Sequence, residues 1–321
     1  MTKRTENRRR MLLLVLLLGL TLKLNSDLAR ALTADRFSAH QAPHTLTGDI
    51  RLYKNFHSRF LSQDRDIIVY LPPGYEKENE TYYPVLYMQD GQNLFDGATS
   101  FFPGVERRMD ESAEALIKRG AIRPVIMVGV YSAGLNRINE YTPTKLPDGR
   151  GGEADLYGRM LVEEIKPFID NQYRTLRSAS ETGLGGSSLG GLLTMYLGLK
   201  YANTFGLLEV SSPAFDWDHE MIVRCVDSLH RKTRQRIWLT VGTGELERFV
   251  SSTRSLRAAL VAKGWKEGID LGYVEAPGAQ HNPASRAQLN ARLLTFLFPP
   301  TIVRTSVSLN RSLPPRLRLG I

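Results

Sequence analysis

An intramolecular disulfide is excluded at the outset, because Cys225 is the only cysteine in 321 residues. It lies in a mixed apolar and polar run and reads as a small core residue. Histidine is scarce too. The six are scattered with no pair at ligand spacing, so no metal site is expected, and no motif calls for a cofactor. Internal repeats are missing, which removes solenoids and propellers. Long hydrophobic runs are limited to residues 11–22, and twelve residues are short for a membrane span. Charge is also missing where it would matter most. The chain carries +9, but residues 1–36 hold +5 and residues 301–321 hold +4, which leaves none for residues 37–300. The basic balance is therefore no argument for nucleic-acid binding by the folded part.

What is there begins with a targeting pattern. Lys3, Arg4 and Arg8 to Arg10 precede the apolar run, and Ala29-Arg30-Ala31 offers a small-x-small cleavage site. Arg8-Arg9-Arg10-Met11-Leu12 loosely fits a twin-arginine signal. Residues 1–36 thus read as a signal peptide or an uncleaved N-terminal anchor with linker, and either predicts export. Residues 37–300 have the length of one large domain, and residues 301–321 read as a basic, poorly ordered tail.

Along the domain, strand patterns fall at 45–53, 64–71, 85–88, 124–131, 181–186, 206–210, 236–241 and 269–275. Helical patterns fall at 105–119, 154–173, 189–200, 216–231, 249–263 and 284–298. Pro167 is expected to kink the second helix. Residues 132–152 read as a long Gly/Pro/Asn-rich loop. Strand-helix alternation predicts an α/β fold with a mostly parallel sheet and helices on both faces. Ligands in such sheets bind beyond the carboxyl ends of the strands.

One stretch carries chemistry. Gly186-x-Ser188-x-Gly190, inside Gly185 to Gly191, fits the nucleophile-elbow pattern with a strand before it and an apolar helix behind it. A serine hydroxyl needs to be held out of the backbone and given a base, and a sharp turn flanked by small residues does the first. The glycine run alone equally fits a turn without chemistry; the helix behind it favours the elbow. Chain order then supplies partners. Glu245 follows a strand end, and His281 follows the last strand in a Gly/Pro-punctuated loop, giving the order nucleophile, acid, histidine. Asp216, Asp218 and Glu247 are alternative acids, and His219 is the spare base ahead of His230. The backbone N–H of Leu189, with that of Gln92 or Gly91, is the candidate oxyanion hole. Asp90, Arg137, Glu140 and Tyr141 are candidate substrate-binding residues. An Arg137–Glu140 ion pair either braces the 132–152 loop or rims the pocket.

Four segments resemble the putative-esterase family of α/β-hydrolases, which includes enterochelin, feruloyl and acetyl-xylan esterases, S-formylglutathione hydrolases and mycolyltransferases. They are Tyr87-Met88-Gln89-Asp90-Gly91-Gln92-Asn93-Leu94-Phe95-Asp96, Arg137-Ile138-Asn139-Glu140-Tyr141-Thr142-Pro143, Phe168-Ile169-Asp170-Asn171-Gln172-Tyr173-Arg174-Thr175 and the Gly185–Gly191 run. The resemblance covers about residues 49–298. It implies the α/β-hydrolase fold, Ser188 as nucleophile, His281 as base and Asp90-Gly91-Gln92 as the oxyanion loop. Glu245 fits where relatives carry Asp or Glu. The implied activity is serine ester hydrolysis on a small-molecule or carbohydrate ester. Acyl transfer through the same acyl-enzyme and a non-catalytic binding domain on the same fold are the alternatives.

Overall fold

The computed structural model describes residues 42–300. The expected leader and the C-terminal tail lie outside the described residues. Eight strands form one sheet: β1 (Asp49–Phe56), β2 (Arg65–Leu71), β3 (Val85–Gln89), β4 (Ile126–Val130), β5 (Thr182–Ser187), β6 (Leu207–Ser211), β7 (Arg236–Gly242) and β8 (Leu271–Ala276). Their order is β1-β2-β4-β3-β5-β6-β7-β8. β2 runs antiparallel to β1 and to β4, and every other neighbouring pair is parallel. This is the mostly parallel α/β-hydrolase sheet the sequence predicts.

The inner strands are buried along their whole length, because helices cover both faces. Side chains alternate between two apolar layers. Val69, Tyr87, Val128 and Leu184 enter one; Tyr70, Met88, Met127 and Leu207 enter the other.

The helices are α1 (Met109–Lys118), α2 (Arg137–Tyr141), α3 (Ala154–Arg159), α4 (Lys166–Gln172), α5 (Leu189–Lys200), α6 (Met221–Asp227), α7 (Glu247–Ala262), α8 (Pro283–Ala287) and α9 (Asn290–Leu297). Several expectations change. The helix expected from residue 105 starts at Met109, because Arg108 before it is left-handed at φ 54°. The one expected over 216–231 shrinks to α6, since Asp218, His219 and Glu220 are successively left-handed, at φ 47°, 54° and 56°. The last helix divides into α8 and α9; the break lets Asn290 donate to the Arg107 carbonyl at 2.7 Å. The disruption expected at Pro167 takes the form of a π-helical stretch over Met160–Ile165, between α3 and α4. Finally, the 132–152 segment is not an open loop. A 3₁₀ turn at Gly134–Asn136 runs straight into α2, and a Lys145–Gly151 bridge closes the remainder. Cys225 is half-buried beside the core rather than inside it.

Candidate active site

Ser188 stands between β5 and α5 at φ 60°, ψ −125°, a conformation that costs free energy and persists only where its surroundings enforce it. Small neighbours make the turn possible. A Cβ on Gly186 would lie 2.8 Å from the Gly190 carbonyl carbon. The Ser188 N–H is shared between the carbonyls of Ser211 and Ser212, at 3.1 Å each, which ties the elbow to the end of β6. Its carbonyl accepts from Gly191 and Leu192, at 3.0 and 3.2 Å. The N–H groups of Leu189 and Gly190, ahead of that first bonded turn, are those that helix geometry leaves open, beside the serine.

At the ends of the next strands, His281 Nδ1 lies 2.6 Å from Glu245 Oε2. The other carboxylate oxygen accepts from Ser212 Oγ at 2.5 Å and from the Gly242 N–H at 3.0 Å. The Glu245 side chain is 1% exposed and that of His281 33%, so the pair joins a buried anchor to an accessible ring. Burial alone would raise the Glu245 carboxyl. The hydrogen bonds from His281 and Ser212, with the nearby imidazole charge, outweigh it and hold the group below the ordinary glutamate value. Phe249 stacks on the His281 ring at 4.9 Å and 16°, limiting its tilt. Of the alternatives weighed from sequence, Asp216 pairs with Arg248 at 3.1 Å, and His219 is exposed. Ser212 links the elbow to Glu245: its carbonyl accepts from the Ser188 N–H at 3.1 Å and its hydroxyl donates to the Glu245 carboxylate at 2.5 Å, while the Ser188 hydroxyl itself makes no hydrogen bond to His281 among the described residues.

The loop after β3 is equally constrained. Asp90 is left-handed at φ 57° and opens the 3₁₀ turn Gly91–Asn93. A Cβ on Gly91 would lie 2.5 Å from the Gly129 carbonyl carbon, so only glycine lets this turn press against β4. The Gln92 side chain is occupied with Ser132: its Nε2 donates to Oγ at 2.8 Å, and its Oε1 accepts from the Ser132 N–H at 3.2 Å.

Two sequence expectations fail here. Arg137 and Glu140 do not pair with each other. Arg137 forks onto Asp90, with Nε and Nη2 each 2.7 Å from a carboxylate oxygen, and stacks over Tyr141 at 4.7 Å. Glu140 instead accepts from Arg65 Nη1 and Nη2 at 2.8 and 3.2 Å, with both side chains 0% exposed. It has no surface to offer a substrate. Neither has Tyr141, whose buried hydroxyl accepts from the Asp90 N–H at 3.2 Å. Glu140 and Tyr141 therefore line no pocket; Arg137 and Tyr141 brace the loop after β3. The reason is packing: α2 lies against α3 and α5, which turns Glu140 inward toward a cation 75 residues away.

Sequence reading missed Ser212, Phe249, Arg65 and the buried residues Arg107, Glu209 and Arg286. The Ser211-Ser212-Pro213 strand end was visible, but no pattern marks a serine that supports an acid. Among the described residues, no group of His, Cys, Asp and Glu could hold a metal.

Comparison with known proteins extends the picture. Residues 58–296 match the family model described as Putative esterase. The uncharacterized protein YbbA of Bacillus subtilis is 26% identical over 232 residues, which are 68% of this chain and 87% of that protein. The endo-1,4-beta-xylanase/feruloyl esterase of Xylanibacter ruminicola is 27% identical over 209 residues, 63% of this chain but 25% of that longer protein. Among solved structures, the siderophore hydrolase EstA from Aspergillus nidulans aligns with a TM-score of 0.59 at 16% identity, over 78% of this chain and 95% of its own. At that identity the likeness speaks for the fold.

Proposed function

The chain belongs to the putative-esterase family of ester hydrolases, and from that premise we propose that it works through a Ser188–His281–Glu245 triad and an acyl-enzyme. The observation that carries this reading is the 2.6 Å His281–Glu245 hydrogen bond, linked through Ser212 to a serine held at φ 60°. Glu245 accepts from Nδ1, which fixes the tautomer that leaves Nε2 free to take a proton. His281 removes the Ser188 proton as Oγ attacks the ester carbonyl, then returns it to the departing alcohol. Water repeats the cycle on the acyl-serine and releases the acid. The N–H groups of Leu189 and of Gly91 or Gln92 receive the oxyanion. Asp90, braced by Arg137 and Tyr141, holds that loop in its left-handed turn.

The substrate we infer is a small-molecule ester of the siderophore or acylated-carbohydrate kind. The siderophore hydrolase and the feruloyl esterase among the similar proteins support it. We also infer an exported protein, from the leader pattern at residues 1–36. The domain organisation proposed is that leader, a catalytic domain over 37–300 and a basic tail.

A fluorophosphonate probe should label Ser188 in the native chain. Ser188→Ala should lose both the label and at least about a thousandfold in kcat on 4-nitrophenyl acetate while its circular dichroism stays native. Full turnover by that variant would overturn the mechanism.

A further inference from the structure

Ser188 is not the only serine in a costly conformation at the strand ends. Ser212 follows β6 at φ 44°, a left-handed backbone that glycine adopts without strain and serine does not. Strain of this kind persists only where its surroundings enforce it, and it clusters at working sites. Here the surroundings are β7 and the elbow. The Ser212 N–H donates to the Thr240 carbonyl of β7 at 2.7 Å, and the Ser212 carbonyl accepts from the Ser188 N–H. Two residues on, the Ala214 N–H donates to the Ser188 carbonyl at 3.0 Å. Pro213, between them, lies close to the helix behind the elbow: a Cβ on Gly191 would sit 3.0 Å from the Pro213 Cβ. Residues 211–214 therefore clasp the elbow backbone by both its N–H and its carbonyl.

The two serine hydroxyls of this clasp serve different buried carboxylates. Ser211 Oγ donates to Glu209 Oε1, which Arg107 Nη2 also reaches at 3.2 Å. Ser212 Oγ donates to Glu245 Oε1 at 2.5 Å, which leaves Oε2 to His281 at 2.6 Å. Ser212 and the Glu245 side chain are both buried, and a hydrogen bond to a charged group is strong in such surroundings. A clasp for the backbone alone would be served by glycine at position 212, which fits a left-handed φ and supplies the same N–H and carbonyl. What serine adds is the hydroxyl, and the hydroxyl goes to the acid.

We propose, on the triad reading above, that Ser212 is a positioning residue: it holds the Glu245 carboxylate in register with the elbow, and its hydroxyl acts on His281 through Glu245. A double-mutant cycle on 4-nitrophenyl acetate, run with the full-length chain, tests this. Ser212→Ala should lower kcat by about 10-fold or more, the range expected for losing a hydrogen bond to a charged group, with KM held within about twofold. In a Glu245→Gln background the charge is already gone, and the same substitution should change kcat by about threefold or less. Ser211→Ala is the control. Its hydroxyl serves Glu209, so its effect should be the same in both backgrounds. Equal effects of Ser212→Ala in the two backgrounds would overturn the role, and so would equal coupling of Ser211→Ala to Glu245. If Ser212→Ala does not fold, Ser212→Gly accepts the left-handed backbone, deletes the same hydroxyl and takes its place in the cycle. Proton NMR supplies a readout that needs no turnover. The Nδ1–H resonance of His281, identified by its loss in His281→Gln, should shift in Ser212→Ala and stay in place in Ser211→Ala. An unmoved resonance in Ser212→Ala would overturn the role. If wild type neither cleaves the ester nor takes the fluorophosphonate label, the triad reading fails, and the resonance alone judges Ser212: a shift supports its hold on the pair, and an unmoved or absent resonance overturns it.

Discussion

In the proposed triad, Glu245 sets how strongly His281 can act as base. Its side chain is 1% exposed yet accepts three hydrogen bonds, from His281, Ser212 and the Gly242 N–H. Replacing it by glutamine keeps the shape and removes the charge that favours the imidazolium. Glu245→Gln should therefore lower kcat by about 10³–10⁴ with a small effect on KM. Steady-state kinetics on 4-nitrophenyl acetate check this, and a change confined to KM would count against the role. The same carboxyl predicts a pH dependence of stability. Its folded pKa lies below the unfolded value of about 4.3, so its contribution is fully present above that value and is lost as pH falls through the folded one. Urea unfolding of wild type and Glu245→Gln should show a gap that narrows as pH falls below about 4.3, the unfolded glutamate value. A gap that widened below that pH would contradict the sign.

At the scale of elements, α2 shows why a short helix can be worth more than its length. Five residues place Arg137 on Asp90 and Glu140 on Arg65, one face toward the loop after β3 and the other into the core. Removing one partner of a buried pair leaves the other charge stranded, at a cost of about 3–5 kcal/mol. Glu140→Gln should lose stability on that scale in urea unfolding, and the fraction still folded should keep its KM. A large rise in KM with stability intact would return Glu140 to the substrate pocket. The sequence made much of this region legible and some of it not. The continuous apolar run before residue 131 could only be a doubly covered strand, and the glycines around Ser188 could only serve a tight turn with a helix behind it. The partner of Glu140 was not legible. Arg137 stands three residues away, a spacing that favours contact on a helix face, whereas Arg65 is brought in only by sheet packing. Ser212 was hidden for the same reason: its work depends on where β6 ends relative to β5 and β7, a property of register rather than of residue type.

For the whole molecule, charge and chemistry are separated. Residues 37–300 carry no net charge and contain the entire strand-end site, while the surplus of +9 sits in the two terminal segments. Among the described residues no helix is long and apolar enough to cross a membrane. The export reading proposed above rests instead on the twelve-residue apolar run at residues 11–22. Cleavage after Ala31 would remove residues 1–31, and with them a net +5, so the mature chain would carry +4, all of it in the tail. Expressed from the full sequence in a bacterial host, the protein should appear outside the cytoplasm with an N-terminus reading Leu32-Thr33-Ala34. Edman sequencing and intact mass test this together. A chain starting at Met1 in the soluble cytosolic fraction would end the export reading, but not the catalytic one, because every group assigned to the chemistry lies between Asp90 and His281.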